Sequence, residues 1–135
     1  MSKYIIFSLF IFIVFLFFKE CDGLGDGYYI YDDGSPIVSI VYNNMTIVDC
    51  EVVDYVYNNH YILVYRIINE YFSRSKDNDN QYINKYKTNK QFFIIEKKTH
   101  YYYGPLTYEQ YSQRRIGLSI PSRLELDTTK TKLWN

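Results

Sequence analysis

Residues 4–18 form an apolar run interrupted only by Ser8, with Lys3 before it and Lys19-Glu20 after it. A helix that crosses a bilayer needs about 20 apolar residues. This run is shorter, follows a positive residue and has no polar face. That is the pattern of a signal-peptide core or a short membrane anchor. The pattern then changes to short strand-like stretches. Residues 21–27 are rich in Gly and Asp and read as a flexible linker. Residues 28–31 and 37–42 read as strands, separated by the turn signal Asp32-Asp33-Gly34. Asn43-Asn44 reads as a two-residue hairpin turn, because Asn tolerates positive φ.

A short echo follows. Val41-Tyr42-Asn43-Asn44 with Ile47-Val48 recurs as Val56-Tyr57-Asn58-Asn59 with Ile62-Leu63, which predicts a second hairpin. A two-residue turn at Asn58-Asn59 would pair Tyr57 with His60, Tyr55 with Ile62 and Val53 with Val64. It would also set Glu51 opposite Arg66, a favourable cross-strand charge pair. No Gly or Pro separates Met45 from Tyr57, so that stretch is one bent strand or two strands joined at a bulge. Residues 73–90 are polar and read as a long loop. Residues 92–96 return as an apolar strand, Lys97-Lys98-Thr99 turns the chain, and residues 101–103 complete a hairpin.

Helix signals come only after Gly104-Pro105. Thr107 and Gln110 stand at capping-box spacing, and Leu106 is placed to staple against Tyr111. Tyr108, Tyr111 and Arg115 recur at helical spacing, and Gly117 is placed to stop the helix. The expected helix runs over 108–116, with Leu124 and Leu126 as a short docking segment. The fold expected is α+β, a single small domain over 28–126. It is a twisted antiparallel β-meander of five to seven strands with one C-terminal helix. Residues 1–20 precede it as signal peptide or anchor, and residues 127–135 follow as a tail.

Composition narrows the function classes. The chain has 15 basic and 15 acidic residues, which argues against a strongly basic nucleic-acid binder. It has 17 Tyr, 9 Phe and no Ala, a bias that an AT-rich genome would produce without any functional cause. Charge is unevenly spread: residues 20–65 carry eight acidic and no basic side chains, and residues 66–135 carry thirteen basic against seven acidic. The simpler meaning is that the halves pair inside one fold, and the sharper one is a dipolar surface that steers a partner.

The C-terminal half has recognisable residues. Phe92-Phe93-Ile94-Ile95-Glu96 is followed by Gly104-Pro105-Leu106-Thr107, then by Tyr108-Glu109-Gln110-Tyr111 and Arg114-Arg115-Ile116-Gly117. These stretches, with Leu24-Gly25-Asp26-Gly27-Tyr28-Tyr29 upstream, resemble domain-of-unknown-function family 3997, a group of small bacterial lipoprotein-like proteins. The resemblance implies export and a single small domain. It brings no activity, cofactor or catalytic residue. Phe93 stands where that pattern carries Trp.

Chemistry-bearing residues are few. Cys21 sits where a lipoprotein carries its acylated cysteine, although Phe18, Lys19 and Glu20 are not the small residues that a lipobox needs. Ordinary signal cleavage, an uncleaved anchor and a Cys21–Cys50 disulfide are the alternatives. Cys50 lies inside an expected strand and reads as a small buried apolar residue. His60 and His100 sit beside turns and read as exposed turn residues rather than general bases. No nucleophile elbow, phosphate loop or zinc cluster occurs, and the Asp-rich start departs from a calcium loop at Leu24. Asn44-Met45-Thr46 is a glycosylation sequon that a bacterial protein would not use. Tyr55, Tyr57, Tyr61 and Tyr65 alternate through one hairpin, falling on both of its faces. They are candidates for a binding face that stacks on sugars, peptides or bases, or simply half-buried strand residues.

The expected protein is an exported, envelope-tethered, non-catalytic binding or structural module with no metal and no cofactor. Its partners would be the membrane and a protein, and not nucleic acid; free secretion is the alternative location. Two rival functions are an immunity-type inhibitor of a secreted toxin and, less supported, an envelope hydrolase. The inhibitor would use the acidic half or residues 73–90.

Overall fold

The computed structural model describes residues 21–32, 38–69 and 75–132. The apolar run at 1–20 lies outside them. The described residues include eight strands. They are β1 (Cys21–Gly25), β2 (Tyr28–Asp32), β3 (Val38–Tyr42), β4 (Met45–Val48), β5 (Val52–Tyr57), β6 (Tyr61–Ile67), β7 (Lys90–Glu96) and β8 (Tyr101–Leu106). Helix α1 (Lys76–Tyr86) joins β6 to β7, and α2 (Tyr108–Gly117) follows β8. The strands form two antiparallel four-stranded sheets, in the orders β1-β2-β3-β4 and β5-β6-β7-β8.

The single meander of five to seven strands is therefore two meanders. Their break falls at Asp49, Cys50 and Glu51, where the chain leaves one sheet and enters the next. Cys50 (φ 53°) and Glu51 (φ 62°) are both left-handed, a conformation that L-residues visit reluctantly. The two sheets pack face to face over Leu24, Tyr28, Ile30, Val38, Ile40, Val48, Val52, Ile62, Val64, Phe93 and Ile95. The other face of the second sheet is covered by α2 and the segment after it, through Leu63, Tyr65, Phe92, Ile94, Tyr111, Ile120 and Leu126. A sheet buried on both faces explains why residues 92–95 read as a continuous apolar run without alternation.

Three further expectations need correction. Residues 21–27 are not a flexible linker: β1 pairs with β2, and Leu24 is fully buried. Residues 73–90 are not simply a loop, because Lys76–Tyr86 is helical. That helix has few apolar residues, and its inward stripe is Asp79 and Tyr82, so sequence periodicity misses it. The tail is also docked where it begins. The Asp127 backbone N–H donates to Asp54 Oδ2 at 2.7 Å and Lys130 Nζ to Asp54 Oδ1 at 2.9 Å.

Local expectations fare unevenly. Asn43 (φ 50°) and Asn44 (φ 62°) make the two-residue turn that closes Tyr42 on Met45. The second hairpin has a longer turn. Tyr57 pairs with Ile62 and Tyr55 with Val64, two residues out of the expected register. Because side chains alternate with period two, a shift of two leaves every face unchanged. A bulge between Val52 and Asp54 then sets Val52 rather than Glu51 opposite Arg66, and Glu51 approaches the guanidinium only through its side chain, at 3.7 Å. On α2, Thr107 and Gln110 form the full capping box. Gly117 is the last helical residue rather than the stop. Ser119 (φ 54°) takes the left-handed position, with Ser119 N–H on the Ile116 carbonyl and Ile120 N–H on the Arg115 carbonyl, a Schellman closure. Gly104 (φ 145°) is required, since a Cβ there would collide with the Phe93 ring and lie 3.0 Å from the Phe92 carbonyl.

All eight strands run between the same two ends of the molecule. The β1–β2, β3–β4, β5–β6 and β7–β8 turns share one end, here the hairpin end. The start of β1, the link from β4 to β5, α1 and the start of α2 share the other, the crossover end.

Candidate functional site

The face of the second sheet that meets the first reads Ile62, Val64, Arg66 along β6, and Gln91, Phe93, Ile95, then Lys97 along β7 and beyond. The inter-sheet core is thus apolar in the middle and cationic at both ends. Arg66 and Lys97 are each almost fully buried, 6% and 3% exposed. They are treated very differently.

At the crossover end Arg66 is saturated. Its Nη1 and Nη2 meet the two Asp79 carboxylate oxygens of α1, each at 3.1 Å. Nη1 also donates to Gln91 Oε1 at 2.6 Å, and Nε to the Cys50 carbonyl at 3.0 Å. Glu51 completes the group, accepting the Asn69 N–H at 2.8 Å on Oε2. Burial pushes the Glu51 carboxyl above its ordinary value, against the pull of the Asn69 N–H and Arg66. The guanidinium fork fixes the left-handed crossover, α1 and β7 to one another. Tyr82 strengthens the same junction, its hydroxyl shared between the Lys90 and Leu106 carbonyls at 2.9 and 3.0 Å. Burial raises that phenol to about 12, so it stays a neutral donor.

At the hairpin end Lys97 has no such partner. Its Nζ donates to the Leu24 carbonyl under the β1–β2 turn and lies 5.1 Å over the Tyr57 ring. Among the described residues no carboxylate oxygen comes within ion-pair distance of it. Burial pushes the amine below its ordinary value, and Asp26 opposes this more weakly. The turn above it needs Gly25, whose φ is +87° and whose Cβ would sit 3.0 Å from Nζ.

Beside this amine is an aromatic stack. His100 lies on Tyr42 with ring centroids 4.3 Å apart, and Tyr42 on Tyr28 at 4.7 Å. The Tyr28 hydroxyl is 2.9 Å from His100 Nδ1 and the Tyr42 hydroxyl 3.3 Å from Nε2. Burial raises the Tyr28 phenol, with Tyr42 and Asp26 adding to it, so it serves as a hydrogen-bonding group rather than a nucleophile. Met45, Tyr57, Tyr101 and Tyr102 stand exposed on the same end. A separate groove of about 380 Å³ runs along α2, lined by Leu106, Gln110, Gln113, Arg114, Gly117 and Leu118.

The residues singled out by sequence are scattered. Tyr55 packs on the inter-sheet core and Tyr57 is exposed over Lys97. Tyr61 and Tyr65 lie on the opposite face, where Tyr61 reaches the Leu118 carbonyl at 3.4 Å and fully buried Tyr65 stacks on Phe92. The four tyrosines do not share one surface. Both histidines are exposed on the hairpin end; only His100 joins the stack. Cys50 is buried, its thiol 3.2 Å from Asp49 Oδ1. The Cys21 side chain, on which acylation and the disulfide depend, lies outside the described residues. Among the described residues no three His, Cys, Asp or Glu side chains gather to hold a metal, and no helix is long and apolar enough to cross a membrane.

Comparison with known families matches residues 25–130 to a protein family of unknown function, DUF3997. The chain belongs to this family. No curated protein and no solved structure matches it. The DUF3997 match begins at Gly25 over Lys97 and ends at Lys130 on Asp54, so it takes in both buried cations. It also gives the resembling stretches a physical role. Residues 92–95 cross the centre of both cores, and Gly104-Pro105-Leu106 is the end of β8 that leads into Thr107, the N-cap of α2.

Sequence points to Tyr57 at the hairpin end and to residues 73–90 at the crossover end, but not to the buried cations or the aromatic stack. Tyr28, Tyr42 and His100 are separated by up to 72 residues, and Arg66 and Asp79 belong to a strand and a segment read as loop. One signal was present. Lys97 stands two residues beyond Ile95, so strand alternation carries it to the same inward face as Phe93 and Ile95.

Proposed function

We propose that this DUF3997 chain is an exported, membrane-tethered and non-catalytic module that binds a protein partner with its hairpin end. The observation that carries this reading is the collection of exposed Met45, Tyr57, Tyr101 and Tyr102 around the Tyr28–Tyr42–His100 stack. Exposed tyrosines gathered on a rigid frame offer contact area at low entropic cost, which is the composition of protein interfaces. Both nitrogens of His100 already face phenols, and Lys97 is closed beneath a turn. Those groups are therefore spoken for by the fold, which favours binding over chemistry. The tether follows from the apolar run at 4–18, with β1 starting at Cys21.

The test is a photoreactive residue placed at Tyr102 or at Asn84 of α1 in cells of the native host, followed by isolation of membranes. The expected result is retention of the chain in the membrane fraction after alkaline washing, with a discrete protein adduct from position 102 and none from position 84. Adducts from position 84 alone, or a chain released into the medium without a membrane-bound pool, would refute the proposal.

A further inference from the structure

We infer that the crossover end is a contact surface for anionic lipid headgroups, so that the domain lies on the membrane with α1 against it and the hairpin end pointing away. The inference deepens the tethered reading above and rests on it. Its first support is chain length. Only Lys19 and Glu20 separate the apolar run from β1, and two residues span at most about 7 Å. With residues 21–25 in the sheet, no slack remains for the domain to swing free. The end at which β1 starts must sit within about one Debye length of the surface.

Its second support is charge. That end carries exposed Lys76 and Lys85 on α1, Lys87 at its C-cap and Lys90 at the start of β7. On α1 and its flanks the exposed acid is Asp77, while Asp79 is buried against Arg66 and Glu51 beside them; exposed Glu109 and half-buried Asp32 and Asp49 stand elsewhere on this end. The internal network thus removes two carboxylates, and the lysine surplus is confined to α1 and its flanks, four exposed lysines against Asp77. A cluster of lysines beside a membrane anchor is the arrangement that anionic leaflets attract. The hairpin end has no comparable group: exposed Lys98 stands there with exposed Asp26.

The test places the full chain on vesicles of neutral phosphatidylcholine alone, or mixed with anionic phosphatidylglycerol. Flotation measures attachment. A short pulse of an acetylating reagent, read by mass spectrometry, measures the accessibility of each lysine. On anionic vesicles, Lys76, Lys85, Lys87 and Lys90 should label several-fold more slowly than Lys98. The difference should shrink on neutral vesicles and at high salt. The variant Lys85→Glu with Lys87→Glu should float equally well but lose the protection of Lys76 and Lys90. A chain that floats while labelling its α1 lysines as fast as Lys98 would overturn the lipid contact and leave the tether intact. A chain that does not float would overturn the tether itself, and the lipid contact with it.

Discussion

The two ends of the inter-sheet core bury one cation each, separated by most of the length of β6, about 20 Å. Arg66 is held by a bidentate carboxylate, an amide oxygen, a backbone carbonyl and a second carboxylate. Lys97 has a backbone carbonyl and the face of a tyrosine. A buried charge with complete pairing organises its surroundings, and removing one partner strands the others. A buried charge without a counter-ion is tolerated at a cost that shifts its protonation. The backbone follows the same division. The hairpin end turns on Gly25, Asp26, Gly27, Asn43, Asn44 and His100, residue types that visit positive φ most readily, whereas the crossover end puts Cys50, Glu51 and Lys87 into that region. The crossover end therefore carries the fold, and the hairpin end is where the fold is least committed internally.

The contrast can be broken by mutation. Arg66→Ala strands Asp79, Glu51 and Gln91 and should lower unfolding stability by about 3–5 kcal/mol in urea titrations. A loss under 1 kcal/mol would mean that the network is not what joins the sheets to α1. Thr107→Ala, also at the crossover end but on the surface, should cost about 1 kcal/mol through the capping box and calibrates an ordinary local defect. Lys97→Met keeps the volume and removes the charge. It should leave stability within about 1 kcal/mol of the parent or raise it, the opposite of Arg66→Ala. Tyr65→Phe removes a buried hydroxyl that has no hydrogen-bond partner among the described residues, and thermal unfolding should be unchanged or slightly later.

pH sharpens the comparison further, because the two ends should slope in opposite directions. The Glu51 carboxyl is raised from 4.5, so its contribution is fully present below that value and is lost as pH rises through the folded value. Glu51→Gln should remove that loss. The Lys97 amine is lowered from 10.5, so its contribution is present above that value and is lost as pH falls through the folded value. The stability difference between the parent and Lys97→Met should therefore move in the parent's favour as pH climbs toward 10.5. A flat difference across that range would contradict the unpaired-lysine account.

Much of the local structure was legible in the residues. Asn43-Asn44, the strand at 92–96 and the capping box of α2 are short-range signals, each complete within a few residues. The division into two sheets was not, since nothing in Asp49-Cys50-Glu51 marks a break and the left-handed pair there is imposed by Arg66 from another strand. Helix α1 was hidden for a related reason. Lys-Asp-Asn-Asp-Asn has weak helix propensity, and its anchor is an ion pair rather than an apolar stripe. The β1 strand was masked by glycines that serve its bulge and turn. The uneven charge has the simpler of its two meanings where structure can be followed: Glu51 and Asp54 from the acidic half are buried against Arg66 and Lys130 of the basic half. The aromatic stack could not be foreseen, because it forms only when three separate turns meet at one end.

The most direct measurement is an NMR titration of the Lys97 side-chain amine in the folded chain, with the same amine in the urea-unfolded chain as its reference. The account predicts that Lys97 loses its proton at a clearly lower pH in the folded chain. If the amine titrated alike in both, Lys97 would be solvated or paired in solution, and the distinction between the two ends would fail.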